Sequence, residues 1–141
     1  MMDSKGQVSL EYLLILTVSL LLLIVFTLPL TEMTIQNTLD VSDSMNMKSD
    51  LSKLSQAVKT VYGQGQGSRQ SVNIVTKQSI NLNINKNYMS CNLKLKDGST
   101  KTVKENYNSN LKKTSIPLSK GTNTVIVEWP SGSYNMRIYK K

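Results

Sequence analysis

Few side chains in this sequence could carry out acid–base, nucleophilic or metal chemistry. There is no His, and Cys91 is the only Cys. From residue 63 onward the only acids are Asp97, Glu105 and Glu128, and no regular spacing pairs them. The commonest general base and metal ligand is therefore missing, and so are the paired groups that a catalytic or zinc site needs. We expect no enzyme activity, no metal site and no cofactor.

One carboxylate is distinguished by its position. Glu11 lies at the edge of an uncharged, mostly apolar run, residues 12–30. An unpaired carboxylate in a membrane costs roughly 2.5 kcal/mol or more, so such groups usually have a partner. A cut between Gly6 and Gln7 would create an α-amine four residues before Glu11, on the same helix face. A neighbouring helix displaced by about one turn could then pair its amine with this carboxylate and set the stagger of an assembly.

The apolar run itself is long enough to cross a membrane. Its nineteen residues would span roughly 28 Å as a helix, which is close to the thickness of the hydrocarbon core. A secretory signal peptide would have a shorter apolar region followed by a small-residue cleavage site, and none follows here. Taken alone, residues 12–30 predict a signal anchor.

The residues around the proposed cut form a recognisable pattern. They are Lys5, Gly6, Gln7, Ser9, Glu11 and Tyr12. This segment resembles the class III signal peptide of archaeal type IV pilins, Q-x-S-x-E-Y followed by a long apolar run. The resemblance covers residues 5–30. It implies that Lys5, Gly6 and Gln7 form the processing site and that Ser9, Glu11 and Tyr12 serve recognition and assembly.

The resemblance also implies how the chain is processed, located and assembled. A membrane-embedded prepilin peptidase would remove residues 1–6 as a leader and leave the apolar segment in the mature protein. The precursor would sit in the cell membrane and then enter an extracellular surface pilus built from copies of itself. An assembly ATPase and a polytopic membrane platform protein are the further partners that the resemblance implies.

Beyond the apolar run we expect an amphipathic second half, so that residues 7–62 form one long helix. Pro29 lacks the N–H that would bond the carbonyl of Val25, so we predict a kink there. Residues 41–45 are expected to be irregular. Further along, apolar residues recur at helical spacing. They are Met47, Leu51, Leu54, Val58 and Val61. This stripe favours packing under a globular head, although an independent coiled coil would show the same spacing.

Residues 63–70 are rich in Gly and predict a linker, and residues 71–141 predict an antiparallel β-sheet head of six or seven strands. Apolar residues alternate with polar ones along several segments, and Asp97-Gly98 predicts a hairpin turn. Cys91 is expected on an apolar strand face, and Trp129 and Tyr134 in the core. The segment around Pro117 is expected at a sheet edge. The predicted fold class is therefore α+β.

Charge separates the two parts of the chain. Residues 1–62 have a net charge of −2, whereas residues 63–141 have a net charge of +10. Because the Lys residues are scattered, they are typical of a solvated face on an exported domain. They leave an alternative open, a minor pilin, pseudopilin or membrane-anchored binding module whose basic head recognises a polyanionic surface, a glycan or DNA.

Overall fold

A computed structural model of the chain describes residues 4–141. It confirms the α+β class, with one long N-terminal helix followed by antiparallel sheets. The helix is α1, Ser4–Gln64. The strands are β1 Arg69–Thr76, β2 Ile80–Ile84, β3 Tyr88–Lys94, β4 Thr100–Asn106, β5 Thr114–Leu118, β6 Gly121–Glu128 and β7 Arg137–Lys140. Residues 1–3, the first half of the expected leader, lie outside the described residues.

The chain divides into two compact units, one ending at Leu39 and the other running from Asp40 to Lys141. In the first unit every described residue is helical and exposed. The second unit holds the remainder of α1 and all described strands. Each buried residue of the described chain lies at Ser44 or beyond. The second unit therefore contains a complete hydrophobic core of its own.

Two antiparallel sheets make up the strand portion of the second unit. The first has the strand order β1-β6-β7 and the second has the order β4-β3-β2-β5. Local turns join β3 to β4, whereas the pairs β1–β6 and β2–β5 join distant parts of the chain. Pro117 lies in β5, at an edge of its sheet, as predicted.

The β3–β4 connection is the hairpin turn predicted at Asp97-Gly98. Gly98 has φ 85°, a left-handed conformation that Gly adopts without a steric penalty. The Asp97 carboxylate accepts bonds from the hydroxyl and the backbone N–H of Ser99, at 2.6 and 2.8 Å. These bonds hold the pKa of Asp97 below its ordinary value. The local sequence therefore defines both the place and the geometry of this turn.

The core forms where the apolar stripe of α1 meets the inner faces of the sheets. All five members of the predicted stripe, Met47 to Val61, are buried in it. The alternating residues Ile80, Leu82 and Ile84 belong to the same cluster, as expected for a half-buried strand. Cys91 is also buried there, and burial raises the pKa of its thiol to about 11. The predictions of a helix packed under its own head and of a core Cys91 are confirmed.

The helix differs from the prediction at two places. It continues without interruption through residues 41–45, where irregular backbone was expected. It also runs past residue 62 and stops at Gly65, which has φ 84° and donates its N–H to the carbonyl of Val61 at 3.0 Å. Such a left-handed Gly just after the last turn satisfies an otherwise open carbonyl and ends a helix. Ser68 reinforces the stop by donating its hydroxyl to the same carbonyl at 3.0 Å.

Side chains of α1 also bond to the backbone of the sheets. A carboxylate oxygen of Asp50 accepts the backbone N–H of Val75, in edge strand β1, at 3.0 Å. The hydroxyl of Ser55 donates to the carbonyl of Asn106, at the end of β4, at 3.1 Å. These bonds satisfy polar groups that the sheets themselves leave open.

The prediction that Tyr134 belongs to the core is wrong. Its side chain is 92% exposed, because β7 begins only at Arg137 and Tyr134 lies in the turn before it. Alternation within a strand therefore does not apply to it. Trp129 does pack against the core, and its ring stacks on Tyr62 with the centroids 5.8 Å apart.

Candidate processing and assembly segment

The residues predicted for processing and assembly lie in the first turns of α1, and all of them are exposed. They are Lys5, Gly6, Gln7, Ser9, Glu11 and Tyr12. The backbone N–H groups at the start of a helix have no intrahelical partner, so the first turn is the easiest part to open. The Gly6–Gln7 bond lies within this first described turn.

Gln7 and Glu11 lie one helical turn apart within α1. Residues at this spacing share a face, with their Cβ atoms about 5–6 Å apart. Within residues 4–141 no Lys or Arg side chain lies within salt-bridge distance of Glu11. The carboxylate is therefore available to a cation from outside the described chain. A new amine at Gln7 would bring a positive charge to the same face.

The apolar run that follows has nothing packed on it within the described chain. Its side chains are well exposed, for example Leu13 at 61% and Phe26 at 69%. Among the described residues α1 is the one helix long and apolar enough to cross a membrane. A helix that is apolar on all sides is stable only when lipid or other helices surround it.

Threonines continue along α1 past the apolar run, and their hydroxyls point back to the helix itself. The hydroxyls of Thr31, Thr34 and Thr38 donate to the carbonyl four residues earlier at 2.8–2.9 Å. Thr27 donates in the same way to Leu23. These side chains need no polar partner elsewhere, so they add little polarity to the helix surface. The helix continues through Pro29.

Several acids of the second unit form ion pairs with basic side chains of the same unit. The Glu128 carboxylate forms an ion pair with the Arg137 guanidinium at 3.0 Å, and its other oxygen lies 4.0 Å from the Arg69 guanidinium. Asp43 pairs with Lys77. Among the described residues no group of three or more His, Cys, Asp or Glu side chains could hold a metal ion.

One surface of the second unit was not identified from the sequence. Strand pairing brings Asn83 of β2 beside Ser115 of β5, and Lys113 just before β5 lines the same hollow as Asn83. Alternation predicts which side of each strand faces solvent, but it does not tell which strands are neighbours. Sequence reasoning therefore missed Lys113 and Ser115.

Comparison with known proteins identifies the N-terminal segment. A family model described as class III signal peptide matches residues 4–30. Neither the curated proteins nor the solved structures compared with the chain give a match. The matched family comprises pilin-type precursors rather than enzymes, and its signal peptide implies processing by a prepilin peptidase. Together with the exposed apolar helix, it fits a membrane-anchored precursor. Residues 4–30 of this chain thus match a class III signal peptide, the kind of signal peptide that type IV pilin-like precursors carry.

Proposed function

We propose that the chain is the precursor of a structural pilus subunit, cut before Gln7 and polymerised through its N-terminal helix into an extracellular, type IV-like filament for surface attachment. The observation that carries this proposal is the match to a class III signal peptide at residues 4–30, a segment of α1 whose apolar residues are all exposed. A fully exposed apolar segment of helix needs a lipid environment first and a protein environment after assembly.

The proposed division of the chain follows from this function. Residues 1–6 are the leader, and the mature helix runs from residue 7 to Gln64, with 12–30 as the membrane and assembly segment. Residues 65–68 connect that helix to the strands of the head, which begin at Arg69. Before assembly the precursor lies in the cell membrane, and afterwards the subunit lies in the surface filament.

Cleavage would start assembly by creating a charge. The new amine at Gln7 would pair with the Glu11 carboxylate of a neighbouring subunit, while Ser9 and Tyr12 would contribute to recognition. Moving the apolar helix from lipid to a bundle exchanges one apolar environment for another, so hydrophobicity alone does not drive this step. Helix packing, the charge pair and an assembly motor would drive it. The proposed partners are therefore a prepilin peptidase, an assembly ATPase, a membrane platform protein and further copies of the chain.

Mass spectrometry of the N-terminal peptide tests the cleavage step. The protein would be purified from cells with an active prepilin peptidase and compared with protein from cells that lack it. We expect an N-terminus at Gln7 in the first sample and an uncut leader in the second. An uncut leader in both would contradict the proposal, because the assembly amine would not exist.

Replacement of Glu11 tests the charge pair separately from cleavage. We expect Glu11→Ala to be cut normally but to form few or no filaments, because it leaves the amine unpaired in an apolar bundle, at a cost of about 3–5 kcal/mol per contact. Glu32→Ala is the matched control, since Glu32 is an exposed acid of the same helix beyond the apolar run. Filaments counted by electron microscopy give the readout. Normal filaments from Glu11→Ala would refute the charge-pair mechanism.

The alternative function is a minor pilin, a pseudopilin or a membrane-anchored binding module. It is supported by the net charge of +10 on residues 63–141. Subunit abundance separates the alternatives, because a major subunit is the main protein in purified filaments. A chain found only in trace amounts beside a different main subunit would favour the binding role.

A further inference from the structure

The outer face of the second sheet, β4-β3-β2-β5, is polar and has no acid where it is hollowed. The inward residues of these strands, such as Leu82 and Cys91, are buried in the core. The outward residues alternate with them and include Asn81, Asn83 and Asn92, which are exposed. A sheet face opposite the core is free to meet a partner.

Two neighbouring hollows lie on this face, of about 770 and 640 Å³, and both are lined by Asn83. Lys94 lines the first hollow, and Lys113 and Tyr88 line the second. None of the described residues that line either hollow is Asp or Glu. Neither Lys94 nor Lys113 forms an ion pair with an acid of the described chain. The two hollows share Asn83 in their linings, and because each has a lysine and no acid beside it, we expect a positive potential over both.

Hydrogen bonds across the strands orient the amides in these hollows. The hydroxyl of Ser115 donates to the Asn83 side-chain oxygen at 3.2 Å, and that of Thr102 donates to the Asn92 oxygen at 2.9 Å. With the oxygens occupied, the amide NH₂ groups remain as donors, and no described group accepts from them. Oriented amide donors beside two ammonium groups match a ligand that is rich in hydroxyl and carboxylate oxygens.

We propose that this face binds an acidic polysaccharide, with Lys94 and Lys113 pairing with carboxylates and Asn83 and Asn92 donating to sugar oxygens. Nucleic acid fits less well. Single strands require several aromatic rings on which bases stack, whereas Tyr88 is the one aromatic residue among the described residues that line the hollows. The Lys104 ammonium already covers its ring at 4.1 Å from the centroid. The binding chemistry belongs to the second unit alone, whereas its display on a filament rests on the proposed function.

Direct titration of the full-length chain in nonionic detergent tests this assignment. The probes are polygalacturonate, neutral dextran and single-stranded DNA, each titrated at low and at high salt. We expect polygalacturonate to bind at low salt with a higher affinity than either of the other probes. Its affinity should fall at high salt, because salt screens the charges. Absence of polygalacturonate binding, equal binding of dextran, or tighter binding of DNA would overturn the proposal.

Asn83→Asp provides an isosteric test within the site. It places a negative charge between the hollows and preserves the acceptor for Ser115, so we expect at least a tenfold loss of polygalacturonate affinity with the fold intact. Asn73→Asp is the matched control, because exposed Asn73 accepts the Thr124 hydroxyl at 2.9 Å across the other sheet. Equal loss in both variants, or no loss in Asn83→Asp, would refute the proposed site.

Charge neutralisation gives an independent second test. The double variant Lys94→Gln, Lys113→Gln is expected to weaken binding about 2- to 30-fold, the range for two exposed ion pairs. Lys48→Gln with Lys59→Gln removes the same charge from exposed positions on α1 and should leave the affinity unchanged. If both pairs weaken binding equally, only net charge matters and the site is refuted. Because binding is measured on dispersed chains, failure to cleave or to form filaments leaves this result unaffected.

Discussion

Asp50 connects α1 to the exposed edge of the first sheet, and its replacement measures what this single connection contributes to stability. One carboxylate oxygen accepts the backbone N–H of Val75 at 3.0 Å, and the other accepts the Lys53 ammonium at 3.2 Å. The Asp50 side chain is 13% exposed, whereas that of Lys53 is 64% exposed. The Asp50 carboxylate is thus mostly buried, whereas the Lys53 ammonium is open to water.

The expected magnitudes follow from this difference in exposure. Asp50→Ala removes a charged hydrogen bond and leaves a strand N–H without its partner, so the free energy of unfolding should fall by about 1.5–3 kcal/mol. Asp50→Asn keeps an acceptor oxygen and should cost about half as much. Lys53→Ala is the control, because an exposed ion pair contributes only about 0–1 kcal/mol.

The measurement uses the second unit, residues 40–141, which contains every buried residue of the described chain. Urea denaturation followed by the fluorescence of Trp129, the only Trp, gives the free energy of unfolding. With a slope of about 2 kcal/mol per molar urea, the midpoint of Asp50→Ala should shift down by about 1 M. If Asp50→Ala matches the wild type, or if Lys53→Ala costs as much, the connection does not stabilise the fold as argued.

Three further predictions concern positions elsewhere in the second unit. Gly65→Ala should lower the free energy of unfolding by about 1–2 kcal/mol, because there is space for a Cβ atom but the positive φ is strained for alanine. Gly63→Ala, within the helix, should raise it by about 0.5–1 kcal/mol. Urea midpoints that move in the same direction for both variants would contradict this. Tyr107→Phe should lower the free energy of unfolding by about 1–2 kcal/mol in the same assay, because it removes a buried hydroxyl that is shared between the carbonyls of Asn85, at 2.6 Å, and Tyr88, at 3.0 Å. A loss below about 0.5 kcal/mol would contradict that role. Burial raises the pKa of the Cys91 thiol from 9.0 to about 11, so between these pH values the folded state keeps a proton that the unfolded chain loses. The free energy of unfolding should therefore fall as pH rises from about 9 towards 11. Cys91→Ala should show a shallower fall, and equal slopes of unfolding free energy against pH in the variant and the wild type would refute the assignment.

Local patterns predicted much of the fold because each feature depends on neighbouring residues. The helical stripe from Met47 to Val61, the alternation of Ile80, Leu82 and Ile84, and the Asp97-Gly98 turn can all be read within a few residues. The structure places the stripe and the alternating residues in the core. The signal segment could also be predicted, because the residue types and spacings of its motif lie within one short stretch of sequence.

Nonlocal pairing could not be predicted in this way. Strand β1 pairs with β6, and β2 pairs with β5, across long stretches of chain. The hollow that combines Asn83 with Lys113 exists only because of the second pairing. For Tyr134 the local pattern itself was misleading. Its two-residue spacing from Met136 and Ile138 is typical of a strand, but its backbone lies in a turn before β7. In both cases the deciding contacts lie outside the sequence window that a pattern covers.

The threonines of α1 have a consequence for how this helix tolerates a change of surroundings. The hydroxyls of Thr27, Thr31, Thr34 and Thr38 are bonded to carbonyls of the same helix. A hydroxyl whose proton is already bonded within the helix needs no outside acceptor when water is replaced by lipid or by a neighbouring protein. The outward-facing atoms of such a residue are chiefly its methyl group. At these four positions the hydroxyl proton stays bonded in water, in lipid and in a helix bundle, so the cost of moving them between these environments is lower than for threonines without that bond.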